Sequence, residues 1–137
     1  MCGRYTLTAN TDALMKRFNI KDYQGEHKPR YNIAPIQKNP VVLLDKNKER
    51  IMTDMRWGLI PFWAKDEKVG YKMINARVET IAEKPSFGKA FIVRRCLVPA
   101  DGYYEWQKTG KKTTLQDRIE IKRAFCFCWI MGSLERP

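Results

Sequence analysis

The chain has 137 residues, which suits one domain, and 44% of them are apolar, enough to build a core. No apolar run approaches the about 18 residues of a membrane helix and no secretory h-region follows Met1, so we expect a cytoplasmic protein. The 26 Lys and Arg residues against 15 acidic ones give a net charge of +11, which favours a polyanionic partner. Charge alone does not separate DNA from RNA or from a membrane surface.

Cysteine and histidine usage bears on disulfides, metals and cofactors. The cysteines are Cys2, Cys96, Cys126 and Cys128, and His27 is the single histidine. Because no secretory signal is present, we expect no disulfide. Because no Cys-x-x-Cys pair exists, we expect no zinc, and no other metal or cofactor. The last three cysteines are interpreted as small buried apolar residues, and His27 as a solvated loop residue.

The first half of the chain predicts one helix and one hairpin. Residues 11–18 have a helical apolar stripe, and Thr11 can act as the N-cap. Residues 23–35 contain glycine, proline and mixed charge, which is typical of a loop. Strands are expected at 41–44 and 50–55, and the polar turn between them makes a hairpin.

The second half is mainly strand. Residues 58–70 form an aromatic loop with a proline, and residues 78–83 begin a helix that Pro85 stops. The expected strands are 90–93, 95–99, 103–107, 118–121 and 124–130, with a turn at 108–112. The chain therefore predicts one β-rich α+β domain over residues 1–137.

Cys2 follows the initiator methionine directly, and methionine is commonly removed before a small residue. Removal leaves a free α-amine, of pKa about 8, and a thiol, of pKa about 8.5, on one residue. Such a pair can attack one aldehyde in sequence: the amine forms an imine, and the thiol closes it to a thiazolidine. The alternative is a small residue at position 2 by chance.

Five segments in order carry a family resemblance. They are residues 2–5 (Cys-Gly-Arg-Tyr), 30–35 (Arg-Tyr-Asn-Ile-Ala-Pro), 57–63 (Trp-Gly-Leu-Ile-Pro-Phe-Trp), 75–80 (Asn-Ala-Arg-Val-Glu-Thr) and 95–106 (Arg-Cys-Leu-Val-Pro-Ala-Asp-Gly-Tyr-Tyr-Glu-Trp). Together they resemble the SRAP family of abasic-site-processing proteins. The resemblance implies a barrel-like mixed sheet with short peripheral helices. It also implies that the partner is single-stranded DNA with abasic sites, and not a membrane.

The resemblance implies three catalytic residues. Cys2 would be the nucleophile, and both its amine and its sulfur would bond to the sugar carbon. Glu105, flanked by aromatic residues and so partly desolvated, would move protons. Asn75 would orient the amine and a sugar oxygen through its amide, which both donates and accepts. The alternatives are an outward-facing strand glutamate and a turn or cap asparagine.

Five residues are DNA-binding candidates. Arg4 and Arg77 would contact phosphates. Trp57 and Trp63 would stack on exposed bases, although tryptophans are as often core residues. Pro35 would lie against bases beside the gap, or is simply a turn residue.

The resemblance stops before a later histidine, in an Ile-His-Asp-Arg-type motif, that the family carries. We therefore expect a domain that is incomplete at its C-terminus, with an open sheet edge at which a second chain can associate. We expect an abasic-site lyase or cross-linking activity, with autoproteolytic removal of Met1. The alternatives are a non-catalytic single-stranded DNA-binding module and an N-terminal-cysteine hydrolase limited to self-processing.

Overall fold

The computed structural model describes the backbone of residues 3–109 and 112–130 and the side chains of residues 3–106. Strands predominate in this part of the chain, and the helices are short. The elements are, in order, β1 (Tyr5–Leu7), α1 (Thr11–Phe18), β2 (Arg30–Ile33), β3 (Lys38–Leu44), β4 (Arg50–Arg56), a 3-10 helix (Glu67–Lys72), α2 (Gly88–Val93), β5 (Arg95–Thr109) and β6 (Lys112–Ile130).

One curled sheet contains all the described strands. Its order is β2-β1-β5-β3-β4, and β6 pairs with β5 along most of its length. The 15-residue β5 is long enough to meet β3 at Leu97 and β1 at Gly102 and Tyr103. The sheet therefore wraps into a half-barrel, which confirms the β-rich α+β class with short helices. The sheet is not mixed as the resemblance implies: the pairings between the described strands are antiparallel.

The hairpin of β3 and β4 forms where the polar turn predicts it. Val42 pairs with Met52 in the middle of the hairpin. In the turn, the Asp45 side chain accepts hydrogen bonds from the backbone N–H groups of Asn47 and Glu49, both at 2.8 Å. This local bonding satisfies backbone donors that the strands leave unpaired, so the turn is specified by its own residues.

The helix predicted at residues 11–18 is α1, but its cap is different. Asn10 Oδ1 accepts from Ala13 N at 2.9 Å, so Asn10 and not Thr11 is the N-cap. Thr11 instead accepts the backbone N–H of His27 at 2.8 Å. The His27 ring is 7% exposed, and its Nε2 lies 3.2 Å from the Leu7 carbonyl. The interpretation of His27 as solvated is therefore wrong, because the polar loop folds back onto the end of β1.

Two further predictions fail in the segment before β5. Residues 78–83 form turns and no helix, and residues 90–93 belong to α2 and not to a strand. A short continuous apolar run has no periodicity that separates helix from strand. Gly88 starts α2 at a close approach, since a Cβ there would lie 2.5 Å from the Ala82 carbonyl oxygen.

The core lies between α1 and the concave face of the sheet. Its buried residues come from β1, α1, β2, β3, β4 and β5, with Trp57 at the end of β4. Cys96 is 4% exposed, which confirms its assignment as a buried apolar residue. The side chains of Cys126 and Cys128 lie outside the described residues. No helix among the described residues is long and apolar enough to cross a membrane.

Candidate active site and nucleic-acid interface

The N-terminal strand runs beside the segment that carries Glu105. Tyr5 pairs with Tyr103, and Tyr104 N donates to the Arg4 carbonyl at 3.0 Å. On β5, this described pairing ends one residue before Glu105. Cys2 itself lies outside the described residues. The N-terminal segment therefore contacts the strand that carries the predicted catalytic glutamate, at the residue that precedes it.

Glu105 is half-buried and lies at an irregularity of the sheet. Glu105 pairs with Asp117 and Trp106 pairs with Leu115, so β6 has one extra residue opposite these two positions and bulges there. Bulges re-aim side chains and are common next to functional sites. On the preceding residue, the Tyr104 hydroxyl donates to the Tyr31 carbonyl at 2.7 Å and ties β5 to β2. Half-burial fits a group that exchanges protons with a bound reactant better than full exposure does.

Asn75 lies in a segment that is anchored by its neighbours. The Trp57 Nε1–H donates to the Ile74 carbonyl at 2.8 Å, and the Leu59 N–H donates to the Met73 carbonyl at 3.0 Å. Asn75 itself is half-buried. Two consecutive anchors leave the asparagine little freedom, which is what an orienting amide requires.

Trp57 is a core residue in this structure. Its side chain is 6% exposed, and its ring centroid lies 5.5 Å from that of Tyr5 on β1. Its backbone bonds the turn that contains Pro35, through Ile36 N to Trp57 O at 2.8 Å and Trp57 N to Gln37 O at 3.1 Å. Burial removes Trp57 from the base-stacking candidates. Instead, it connects the N-terminal strand, the Pro35 turn and the Asn75 segment.

The turn at Pro35 is rigid. Ile36 has a φ of 74°, a conformation that is strained for a β-branched residue. Arg30, close in sequence, is used to hold the turn, because its guanidinium donates to Asn39 Oδ1 at 2.7 Å and also to Gln37 Oε1. Strained backbone that its surroundings hold in place is common at ligand-binding sites. Pro35 is half-buried, so one part of its ring faces solvent.

Exposed aromatic residues lie on the loop after β4. Trp63 is 51% exposed and Phe62 is 62% exposed, and Lys89 Nζ lies 5.2 Å from the centroid of the Phe62 ring. The loop begins at Gly58, where φ is 144° and a Cβ would lie 2.7 Å from the Gly70 carbonyl oxygen. The loop therefore presents two rings to solvent from an anchored base, and Lys89 of α2 places a cation over one of them.

The two arginine candidates differ in their surroundings. Arg4 Nη1 donates to Asn32 Oδ1 at 3.0 Å, so Asn32 of β2 orients the guanidinium. Arg77 is exposed, two residues after Asn75, and its carbonyl accepts from Thr80 N at 3.2 Å. Arg4 lies two residues after Cys2, and Arg77 lies two residues after Asn75. Each of these two predicted catalytic residues therefore has an arginine close in sequence.

The sequence interpretation missed a pocket of about 490 Å³ beside the aromatic loop. Arg56 lies in it, with Nη1 3.3 Å from Glu67 Oε2 and the guanidinium carbon 5.3 Å from the Tyr71 ring centroid. Lys65 and Lys68 line its edge. No sequence signal marks this grouping, because it depends on how the 3-10 helix packs against the end of β4.

A metal site needs several donor side chains close together. In the described part of the chain, no group of three or more His, Cys, Asp or Glu side chains is placed to hold a metal ion.

The sheet and site define a β-rich α+β protein whose N-terminal strand pairs with the strand that carries a half-buried glutamate. The family profile described as SOS response associated peptidase (SRAP) matches residues 1–132. The chain belongs to this family.

Relatives of this chain carry names that describe DNA processing. It is 47% identical over 131 residues to the abasic site processing protein YoqW of Bacillus subtilis, covering 94% of this chain and 58% of the relative. It is 35% identical over 132 residues to the abasic site processing protein HMCES of Gallus gallus, covering 80% of this chain and 39% of the relative. The chain therefore spans well under two thirds of the length of these relatives.

Solved structures share the fold. A protein from Bacteroides thetaiotaomicron matches with a TM-score of 0.72 at 28% identity, over 93% of this chain and 57% of that one. A phage-related protein from Bordetella bronchiseptica matches with a TM-score of 0.71 at 26% identity, over 97% and 63%.

Proposed function

We propose that this chain processes abasic sites in single-stranded DNA by forming a covalent thiazolidine cross-link through Cys2. The observation that carries the proposal is the register of β1 on β5, which places the N-terminal segment against Tyr103 and Tyr104, the two residues before Glu105. Family membership and relatives named abasic site processing proteins support the substrate class.

The chemistry requires an exposed aldehyde and an aminothiol. The ring-opened sugar of an abasic site supplies the aldehyde at C1. The Cys2 α-amine adds to this carbon, and loss of one water gives an imine. The thiol then adds to the imine carbon, its proton passes to the nitrogen, and a thiazolidine results.

Glu105 and Asn75 have separate roles in this sequence. The Glu105 carboxylate accepts a proton from the attacking amine and returns one to the departing hydroxyl, which is general acid–base catalysis. Asn75 hydrogen-bonds the amine and a sugar oxygen without titrating. Its anchoring through Ile74 and Met73 supports this orienting role.

Ring closure also explains a protective outcome. An imine at C1 acts as an electron sink that promotes β-elimination and strand breakage. Addition of sulfur to the imine carbon removes that sink. The cross-link therefore shields the lesion from cleavage.

Removal of Met1 is the step that creates the nucleophile. An amide nitrogen is not nucleophilic, so the Met1–Cys2 peptide bond must first be hydrolysed. We assign this hydrolysis to the chain itself, in line with the word peptidase in the family's description.

Binding of the strand is assigned to surface residues around the site. Arg4 and Arg77 contact phosphates, and Pro35 lies against the bases next to the lesion. Trp63, together with Phe62, stacks on unstacked bases, a contact worth about 1–3 kcal/mol per base. Readout of sugar, phosphate and shape implies little base-sequence preference.

We also propose association between copies at an open edge of the sheet. Within the described residues β4 pairs with β3 alone, which leaves one edge of β4 unpaired. Light scattering on the purified chain tests this: a dimer mass supports the proposal, and a monomer mass at high concentration contradicts it. We propose a cytoplasmic location.

Cys2→Ala and Cys2→Ser together test the covalent step. Wild type should give a denaturation-resistant adduct with an abasic oligonucleotide, and Cys2→Ala should bind it without one. Both variants keep a small second residue and the amine, so each should give an adduct only after borohydride reduction of the imine. An adduct from Cys2→Ala that persists without reductant would contradict the mechanism.

A non-catalytic single-stranded DNA-binding module is the second candidate. The net charge of +11 and the exposed Phe62 and Trp63 favour it. It predicts that wild type and Cys2→Ala bind abasic DNA equally and that neither forms an adduct.

A further inference from the structure

A carboxylate outside the predicted catalytic set holds the N-terminal strand. Asp101 Oδ1 accepts from the Thr6 hydroxyl at 2.5 Å. Its Oδ2 accepts from the Thr8 hydroxyl at 2.6 Å and also from the Thr8 backbone N–H. Three hydrogen bonds from two residues of one segment therefore converge on a single side chain.

The sheet is irregular at Asp101. Ala100 pairs with Phe125 and Gly102 pairs with Glu120, so Asp101 alone stands against four residues of β6. The extra residues therefore belong to β6, and the regular β5–β6 ladder is interrupted at Asp101. The carboxylate finds its hydrogen-bond donors in the N-terminal segment, whose strand β1 also pairs with β5.

The strand β1 needs such support. It has three residues, Tyr5–Leu7, and its register with β2 shifts between Tyr5 and Leu7. Chain ends fray unless something ties them down, and a slip of one residue moves every side chain to the other face of the sheet. Thr6 is fully buried, so the bond from its hydroxyl to Asp101 is shielded from water.

We infer that Asp101 is a positioning residue that fixes the register of β1 and thereby holds the N-terminal amine and thiol against Glu105. This inference rests on the proposed function. The hydrogen bonds described for Asp101 go to Thr6 and Thr8, which lie four or more residues after Cys2. Its effect on the reaction therefore passes through the strand.

The test compares four variants of the full chain. Asp101→Ala removes all three acceptor bonds, and Thr8→Val removes one of them. Asp101→Asn keeps one side-chain oxygen that accepts from Thr8. Its NH2 group can donate a hydrogen bond to the Thr6 hydroxyl oxygen. Tyr23→Phe is the matched control, since it removes a hydroxyl that donates to Asp54 at 2.8 Å, in a bond that does not involve β1.

The measured quantity is the single-turnover cross-linking rate at saturating abasic single-stranded DNA. Non-covalent affinity is measured separately, with each variant in a Cys2→Ala background. We expect Asp101→Ala to lower the saturating rate by about tenfold or more, because a misplacement of about 1 Å can slow a reaction by two orders of magnitude. Affinity should change by less than about threefold, and Thr8→Val should show a smaller loss of rate. Asp101→Asn should stay within about threefold of wild type.

Two further readouts separate positioning from general destabilisation. Reaction of the aminothiol with a small aldehyde, glyoxylate, should be unchanged in Asp101→Ala, because this reactant needs no positioning. Hydrogen exchange at the Tyr104 amide, which donates to the Arg4 carbonyl, should accelerate in Asp101→Ala and not in Tyr23→Phe.

The inference fails if folded Asp101→Ala cross-links at the wild-type rate. It also fails if Tyr23→Phe, at a comparable loss of stability, lowers the cross-linking rate as much as Asp101→Ala does. If Asp101→Ala does not fold, an unchanged rate in Thr8→Val overturns it. Failure of the proposed function looks different: wild type then forms no adduct, while the exchange experiment still reports whether Asp101 anchors β1.

Discussion

Replacement of Trp57 by phenylalanine tests the role of this residue as the connector of the site. The substitution removes the indole N–H that donates to the Ile74 carbonyl at 2.8 Å, in a residue that is 6% exposed. A buried carbonyl left without its donor costs about 1–3 kcal/mol. The smaller ring also loses packing against Tyr5 and adds a cavity term of about 1 kcal/mol. The expected total is about 2–4 kcal/mol.

Thermal and urea unfolding measure this loss. For a domain of this size, such a change lowers Tm by about 10 °C. Trp63→Phe is the matched control: Trp63 is 51% exposed, so its stability should change by no more than about 0.5 kcal/mol. Cross-linking by Trp57→Phe should also slow by about tenfold, because Asn75 loses an anchor. A Trp57→Phe protein no less stable than Trp63→Phe would refute the assignment of Trp57 to the core.

Three other variants test the roles of Trp63, Glu105 and Tyr23. Trp63→Ala should weaken non-covalent binding of single-stranded DNA by about 1–3 kcal/mol with an unchanged Tm, measured by fluorescence anisotropy; unchanged affinity would remove Trp63 from the interface. Glu105→Gln should slow cross-linking by about 10²–10⁴ while affinity stays within about threefold, measured in single-turnover gels; a rate near wild type would exclude general acid–base catalysis by this carboxylate. Burial raises the pKa of Tyr23 above its ordinary value, with the Asp54 hydrogen bond as the next cause. The folded state therefore favours the protonated phenol, and this contribution to stability is complete below pH about 10 and is lost as pH rises above it. Urea midpoints of wild type should thus fall between pH 8 and pH 11 more than those of Tyr23→Phe, and parallel curves would contradict the shift.

Local patterns predicted the elements that depend on local chemistry. The hairpin of β3 and β4 follows from two apolar runs and a turn whose Asp45 bonds its own backbone. The amphipathic stripe of α1 placed Leu14 and Phe18 in the core. Motif order identified the family and, with it, the fold class.

Long-range contacts account for what the sequence could not reveal. The burial of His27 depends on a carbonyl of β1, and the burial of Trp57 on contacts with Tyr5 and Ile74. The role of Asp101 depends on hydrogen bonds from Thr6 and Thr8, which are 95 and 93 residues away in sequence. In each case the residue type is compatible with a surface position, and the partner that decides otherwise is distant in sequence.

Cross-linking through Cys2 is tested by the intact mass of the protein after incubation with an abasic single-stranded oligonucleotide, without reductant. The proposed mechanism predicts a species with the summed masses of the oligonucleotide and the protein without Met1, less one water, and peptide mapping should locate the link at Cys2. A protein that keeps Met1 and forms no adduct, or an adduct located on a lysine, would contradict it.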